Sequence, residues 1–312
     1  MIQELKDKYR KVSLSRVCRL FGLTRQAYYQ HFINLEDTTI EHDLIIKEVL
    51  EIRRYHRAMG TRKLYEKLQL FMLEHQIKMG RDGLFDLLSQ HQLLVKKRKR
   101  KISTTMSYHR FHKYPNLIKA FVPTAPNQLW VSDITYWKLQ EKHAYISFIT
   151  DAYSHKIVGY QVAETLEAIE SIQALQMAFS ASEWAECHLP TLTHHSDRGV
   201  QYCSHDYVNL LKEKQINISM TQNGDPLENA IAERINGIIK GEYLENYDIT
   251  NIVDAKALLK DVVALYNNER PHMSIGNLTP NQVHHSLKIL KPEKLWKNYY
   301  QKKTTFVNQE QD

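Results

Sequence analysis

The sequence predicts a mixed α/β domain, a five-stranded sheet with flanking helices, preceded by all-helical modules. Three observations carry that reading. From Gln128 onward, short runs rich in β-branched and aromatic residues are separated by brief polar breaks and then alternate with helical patterns. Before Gln128, apolar residues recur at helical spacing, punctuated by glycines. Between the two regions, from Asp86 to Asp133, there is no acidic residue, and nine Lys/Arg fill the interval.

The helical part comes first. Val17, Leu20 and Phe21 fall at helical spacing, Gly22 breaks the run, and Thr24 is placed to cap a second helix carrying Arg25, Gln26, Tyr28 and Tyr29. This is a helix-turn-helix pattern, assigned to residues 1–35, with Arg25, Gln26 and Tyr28 as candidates for DNA contact; a plain helical hairpin gives the same pattern. Residues 36–95 read as a second helical module, also helix-turn-helix-like. A longer helix covers 40–57, another starts at Gly60 with Thr61 as its cap, and a third starts at Gly80. Leu64, Leu68, Leu84, Leu87 and Leu88 are expected to form its small core.

A basic linker arm is assigned to residues 96–124. Lys96, Lys97, Arg98, Lys99, Arg100 and Lys101 are consecutive cations, as expected of an arm lying along phosphates; a flexible spacer would usually mix signs. Pro115, Pro123 and Pro126 mark an extended connector, because each disfavours helix just before it. The α/β domain then covers 125–290, leaving a weakly patterned tail at 291–312. Strands are expected over 129–137, 144–150 and 156–162 as an antiparallel meander. A helix over 163–180, a strand running into Asp197, a helix over 204–214 and a strand over 216–220 follow. Three helices, from 226 to before Tyr247, over 253–267 and over 280–287, close the domain.

Bulk properties narrow the function classes. At 312 residues the chain has room for a main core and one or two smaller modules. No stretch approaches the roughly 18 apolar residues of a membrane helix, so no membrane partner is expected. The N-terminus, Met1 to Arg10, is polar rather than signal-like. Three scattered cysteines point to a reducing, cytoplasmic setting, and neither they nor the sixteen histidines are spaced as zinc ligands. A net charge of +7 and a pI near 9.0 favour a polyanionic partner.

Three carboxylates carry the candidate chemistry. Asp133 lies inside the first strand, Asp197 at the turn that follows an apolar run and precedes Gly199, and Glu233 on a helix. Sixty-three residues separate the first pair and thirty-five the second. Asn229, Glu233, Asn236 and Lys240 share one stripe of that helix, while Ile231, Ile235 and Ile238 form another that can face the sheet. The helix start, Asp225-Pro226-Leu227-Glu228, reads as a cap, which gives Asp225 and Glu228 a structural role. Hard carboxylate oxygens suit Mg²⁺, two ions per site, and a metal pair can activate a nucleophile and stabilise a leaving oxygen in phosphoryl transfer. Lys240 can reach a phosphate as a point charge, or be an ordinary surface lysine.

Five ordered motifs make the chain resemble the integrase core of bacterial insertion-sequence transposases, in particular the second reading-frame product of the IS-three family. They are Trp130-Val-Ser-Asp133-Ile-Thr-Tyr136, His195-Ser-Asp197-Arg-Gly-Val-Gln-Tyr202, Asn229-Ala-Ile-Ala-Glu233 with Lys240, Tyr266-Asn-Asn-Glu-Arg270-Pro-His272, and Leu278-Thr-Pro280. The resemblance implies a ribonuclease H-like fold and a DDE-type transposase that cleaves 3′ ends and transfers the strand to target DNA. It implies Asp133, Asp197 and Glu233 as catalytic metal ligands for Mg²⁺, with Mn²⁺ able to substitute. Gln201, Asn229, Lys240 and Arg270 become DNA-contacting or orienting residues. Tyr266, Asn267, Arg270 and His272 match a signature expected to pack against the active-site helix and touch DNA. Glu228 stands where the family often has Asp, and the zinc module of retroviral integrases is missing. Implied partners are double-stranded DNA (the element's terminal repeats and target DNA), further copies of the chain, and an upstream reading-frame product; the implied location is the bacterial cytoplasm, with the nucleoid. The alternatives are a non-catalytic DNA-binding regulator derived from a transposase, and a ribonuclease H-type nuclease without strand transfer. The intact acid triad disfavours the regulator, and the basic N-terminal third disfavours the plain nuclease.

Overall fold

The computed structural model describes residues 2–9, 12–96, 110–119, 121–140, 142–181, 192–222 and 226–286. Five cations of the expected arm (Lys97, Arg98, Lys99, Arg100 and Lys101), the capping residue Asp225 and the tail at 291–312 lie outside the described residues. The chain forms two compact units, Met1–Arg54 with Lys67–Leu94, and Tyr55–Glu66 with Val95–Asp312.

The first unit is helical. Its elements are α1 (Ile2–Lys8), α2 (Leu14–Leu20), α3 (Arg25–Tyr55), most of α4 (Thr61–Glu74) and α5 (Arg81–Gln90). Gly22 makes the α2–α3 turn at φ +70°, a left-handed conformation that glycine adopts without a Cβ penalty. Thr24 caps α3 as expected, its hydroxyl accepting the Ala27 N–H at 3.0 Å. Two expectations are corrected. α3 runs unbroken for 31 residues through positions 35 and 40, because 32–39 contains neither glycine nor proline to stop it. Thr61 is the first residue of α4 rather than its cap. Val17, Cys18, Ile45, Val49, Leu68, Met72, Leu84, Leu87 and Leu88 are buried. The Arg53 guanidinium donates to the Leu93 carbonyl at 2.6 Å, tying the end of α3 to the chain after α5.

The second unit is built on a sheet of β1 (Leu129–Lys138), β2 (His143–Asp151), β3 (Ile157–Ala163), β4 (Thr193–Ser196) and β5 (Asn217–Met220), ordered β3-β2-β1-β4-β5. The first three strands are antiparallel, and β4 and β5 run parallel to β1. Helices are interleaved as α6 (Ala168–Ala181), α7 (Val200–Cys203), α8 (His205–Glu213), α9 (Ala230–Ile238), α10 (Ile252–Glu269) and α11 (Pro280–His284). Alternation along β1 separates two faces. Trp137, with Ile146 and Phe148 of β2, packs against Ile235 and Ile238 of α9 and Leu259, Val262 and Tyr266 of α10. Trp130, with Ile149 and Val158, packs against Leu175 of α6 and Tyr207 and Leu211 of α8. The result is a mixed sheet covered on both sides, the ribonuclease H-like arrangement. Gly159 permits the approach of α6 to β3, since a Cβ there would stand 2.2 Å from the Ala174 carbonyl oxygen.

Side-chain caps set several helix starts. Ser204 caps α8, Asn251 caps α10, and Thr279 with Gln282 forms a capping box around Pro280 on α11. The helix expected from 226 to before 247 is four segments: a 3₁₀ turn at Pro226–Asn229, α9, a π turn at Ile239–Tyr243 and a 3₁₀ turn at Leu244–Asn246. Over single turns the apolar spacing of these pitches differs too little for sequence to separate them.

Buried imidazoles give this unit an acid limit. Burial pushes His155 down to about 4 and His194 to about 3, and burial followed by the Arg270 charge lowers His272. The folded-state pKa lies below the unfolded value near 6.5, so the unfolded chain binds more protons as pH falls. This stability is complete above about pH 6.5 and is lost toward about pH 4, at roughly 1.4 kcal/mol per pH unit per histidine. Thermal unfolding measured at pH 6.5, 5.5 and 4.5 is expected to show a falling midpoint, because several buried histidines outweigh the opposite trend of a single raised carboxyl; a flat profile contradicts it.

Candidate active site

Strand register brings two of the acids together. β1 and β4 are parallel with Ser132 opposite Ser196, so the next residues, Asp133 within β1 and Asp197 just past the end of β4, lie side by side. One Asp133 oxygen accepts the Ile134 N–H at 2.9 Å, and the other accepts the Asn236 amide at 2.8 Å. One Asp197 oxygen accepts the Gly199 N–H at 2.9 Å. Glu233 comes from α9, which is stapled to β1 on both sides of it. Four residues before Glu233, the Asn229 amide donates to the Ser132 carbonyl at 3.0 Å; three residues after it, Asn236 holds Asp133.

The electrostatics follow from this arrangement. Burial, then the charges of Asp197 and Glu233, push the Asp133 carboxyl up to about 8. Burial, then Asp197, raise Glu233. Three negative groups thus share a partly desolvated site, the situation a cation relieves. Among the described residues, no three His, Cys, Asp or Glu side chains are drawn into a closed ligand set. The surroundings nevertheless suit a hydrated divalent ion. The buried Tyr202 hydroxyl and the side-chain carbonyl oxygens of Asn229 and Asn236 have no hydrogen-bond partner, and Mg²⁺ usually keeps waters that need such partners. Beneath the carboxylates the floor is fixed: His194 bonds the Ser132 hydroxyl at 2.7 Å and the Tyr207 hydroxyl at 2.9 Å, and His195 bonds the Ser219 hydroxyl at 2.8 Å.

The raised Asp133 gives a stability prediction. Its folded pKa exceeds the unfolded value, so the metal-free fold loses stability as pH rises from about 4 to about 8, at roughly 1.4 kcal/mol per pH unit. Asp133→Asn is therefore expected to melt higher than the native protein at pH 7.5 in EDTA, with the gap closing toward pH 4.5. Equal melting temperatures at pH 7.5 contradict the shared-charge site.

Two family models, both described as integrase core domain, match residues 123–226 and 214–280. A protein of insertion element IS600 from Shigella sonnei is 34% identical over 268 residues, covering 85% of this chain and 96% of that protein. A putative transposase for insertion sequence element IS986/IS6110 from Mycobacterium tuberculosis is 31% identical over 261 residues, 81% of this chain and 91% of its own. Transposase InsF for insertion sequence IS3A from Escherichia coli is 27% identical over 281 residues, 86% of this chain and 93% of its own. The chain belongs to the IS-three family of insertion-sequence transposases. This transposase is a DDE-type polynucleotidyl transferase acting in DNA transposition, and an integrase core implies dependence on a divalent metal.

The transposase places its other expected site residues unevenly. Arg25 and Gln26 are exposed at the start of α3. Tyr28 is corrected: it is 9% exposed and buried within the helical unit, so its ring is not presented to a groove. Lys96 is exposed. Lys240 is partly exposed, its ammonium 4.0 Å from the centre of the Tyr136 ring. Gln201 donates to the Leu166 carbonyl at 2.8 Å and so holds the approach to α6. Arg270 is also corrected. It is 1% exposed, with its guanidinium bonded to both Glu242 oxygens at 2.7 and 2.8 Å and to His272 at 2.8 Å, which leaves it no face for DNA. The rest of its signature is internal too. Tyr266 donates to the His155 carbonyl at 2.9 Å, and Asn267 pairs with both backbone groups of Ile157. Glu228 is buried and accepts the Gln222 N–H, in keeping with a structural role.

Sequence reasoning put Asn236 on the polar stripe of Glu233 but gave it no task, and it gave Tyr202 none within its motif. The i, i+3 spacing from Glu233 was the available signal for Asn236. Among the described residues no helix is long and apolar enough to cross a membrane.

Proposed function

We propose that this transposase cuts the 3′ ends of its insertion sequence and joins the freed 3′-hydroxyls to target DNA, with Asp133, Asp197 and Glu233 as the catalytic metal ligands. The supporting observation is the convergence of the three carboxylates, where burial and then the charges of Asp197 and Glu233 lift Asp133 to about 8 beside unpartnered polar atoms. Two Mg²⁺ ions held by these acids, or Mn²⁺ in their place, would activate the attacking oxygen and stabilise the leaving one.

The chain's own residues do the positioning. Asp133, acted on by the charges of both Asp197 and Glu233, would hold the metal together with them. Asn236 fixes its carboxylate plane through one oxygen. Tyr202, with the free oxygens of Asn229 and Asn236, orders water around the site. Lys240 offers its charge to a DNA phosphate. In the first step a water oxygen bonds to phosphorus and the bond from phosphorus to the 3′ oxygen breaks; one water proton passes to that 3′ oxygen and the other to solvent. In the second, the new 3′-hydroxyl attacks a target phosphate and gives up its proton, while the expelled target 3′ oxygen takes one up, so no proton is released overall.

Binding comes from elsewhere in the chain. Arg25 and Gln26 are the proposed base-reading residues, and the cations from Lys96 to Lys101 the proposed phosphate contacts. Two copies of the chain, each holding one element end, would bring the ends together. Replacing Lys96 to Lys101 by glutamine is expected to weaken binding to all DNA sequences and to lower the salt slope by about 0.9 per lost phosphate contact; an unchanged slope removes the arm. The activity itself is tested with duplexes carrying the element ends, labelled on each strand. Mg²⁺-dependent nicks leaving a 3′-hydroxyl at the element end support the proposal, and nicks at unrelated positions contradict it.

A further inference from the structure

We infer that His56, Arg57 and Lys63, which lie upstream of both integrase core matches, are positioning residues that hold the Glu233 helix in register. The inference rests on the assignment of Glu233 as a metal ligand.

The helix that carries Glu233 does not end cleanly. After Ile238 it loosens into the π turn Ile239–Tyr243 and then tightens into the 3₁₀ turn Leu244–Asn246. A π turn is rare and occurs mostly as a single-turn bulge, frequently at functional sites. On its inner side Ile239, Tyr243 and Leu244 enter the core. On its other side it meets residues 56–63. Lys63 donates to Glu242 at 2.7 Å, His56 bonds the Tyr243 hydroxyl at 3.0 Å and Glu269 at 3.0 Å, and Arg57 donates to the Asn246 carbonyl at 2.8 Å. The Arg57 guanidinium also lies 4.1 Å from the centre of the Tyr247 ring. His56 and Met59 are each 1% exposed.

This segment therefore belongs to the catalytic unit by its contacts, although both integrase core matches begin well after it, at 123 and 214. Sequence holds a trace of it. Lys63 sits in the first turn of α4, where the positive end of the helix dipole disfavours a cation. Glu242 explains the placement, because it holds Arg270 and Lys63 at once. Glu242 lies nine residues beyond Glu233 and six beyond Asn236, so a slip of the π turn would strain the Asn236 contact that sets the helix against Asp133. A misplacement of about 1 Å at a reacting centre can cost about a hundredfold in rate.

The test uses full-length Lys63→Met, Lys63→Arg, Arg57→Ala and Glu233→Gln. Three quantities are read: melting temperature, Mn²⁺ affinity by electron paramagnetic resonance without DNA, and kcat and KM for end cleavage at 20 °C. Lys63→Met is expected to bind Mn²⁺ about tenfold more weakly and to lose kcat by about tenfold or more, with KM for DNA unchanged. Lys63→Arg should restore both. Arg57→Ala, at an exposed site where folding is not at stake, should shift them in the same direction by less. A role in stability alone would lower the melting temperature and leave Mn²⁺ affinity and kcat intact at 20 °C, and that outcome overturns the inference. If Lys63→Met does not fold, unaltered Mn²⁺ affinity and kcat in Arg57→Ala overturn it instead. Glu233→Gln separates the two layers: undiminished Mn²⁺ binding in that variant refutes the ligand assignment, whereas its loss beside a native-like Lys63→Met refutes only the positioning role.

Discussion

A protein carrying Asp197→Asn is expected to bind DNA like the native protein and to lose cleavage and joining by roughly three orders of magnitude or more. The substitution keeps the size of the side chain and an oxygen for the Gly199 N–H, so the turn after β4 is preserved. It removes a negative charge from beside Asp133, whose raised pKa falls as a consequence. The same variant therefore reports twice. Activity falls because a ligand is lost, and the pH dependence of metal-free stability moves toward that of an ordinary aspartate. Gel-shift affinity, a cleavage assay and melting curves from pH 4.5 to 8 measure these effects. Loss of DNA binding together with activity would make Asp197 a structural residue.

The second large effect is on stability. Arg270→Met is expected to destabilise the fold by about 3 kcal/mol, because the partly buried Glu242 loses its main partner and keeps only Lys63. In the native protein burial alone would raise Glu242, and the hydrogen bonds and charge of Arg270, then of Lys63, hold it below its ordinary value. That balance reverses in the variant. Adding Glu242→Gln to Arg270→Met removes the stranded carboxylate and should recover part of the loss. Chemical denaturation of the two variants and of Glu242→Gln alone gives the coupling directly. A change below about 0.5 kcal/mol for Arg270→Met would show that the buried pair carries little.

Arg270 also shows where the sequence stops being informative. An arginine in a polar signature reads as a DNA contact, because arginine seldom lies buried unless paired. Its partner Glu242 is 28 residues upstream, in a π turn that the helical pattern conceals. Tyr28 fails for a similar reason: the helix position says which way it points only once the packing of α2 on α3 is known. The meander of β1 to β3 was legible because β-branched and aromatic runs with short polar breaks allow few other pairings. The three acids were legible as candidates, but the parallel register of β4 on β1 that brings Asp133 beside Asp197 came from the structure. The continuity of α3 was not legible, because eight residues lacking both apolar periodicity and breakers read as a gap. Nor was the place of residues 56–63, whose partners lie some 180 residues away. Local pattern thus gave the sheet and the acids, while the long-range contacts holding the Glu233 helix came only from the structure.

The measurement that tests the central claim most directly is joining. Purified protein is mixed with labelled duplexes bearing the element ends and a supercoiled target, with Mg²⁺ or with EDTA, alongside Glu233→Gln. Joined products are expected with Mg²⁺, none with EDTA, and none from Glu233→Gln although that variant still binds the ends. Joined products from Glu233→Gln at the native rate would contradict the triad, and tight binding without cleavage under any metal would leave a DNA-binding regulator in place of an enzyme.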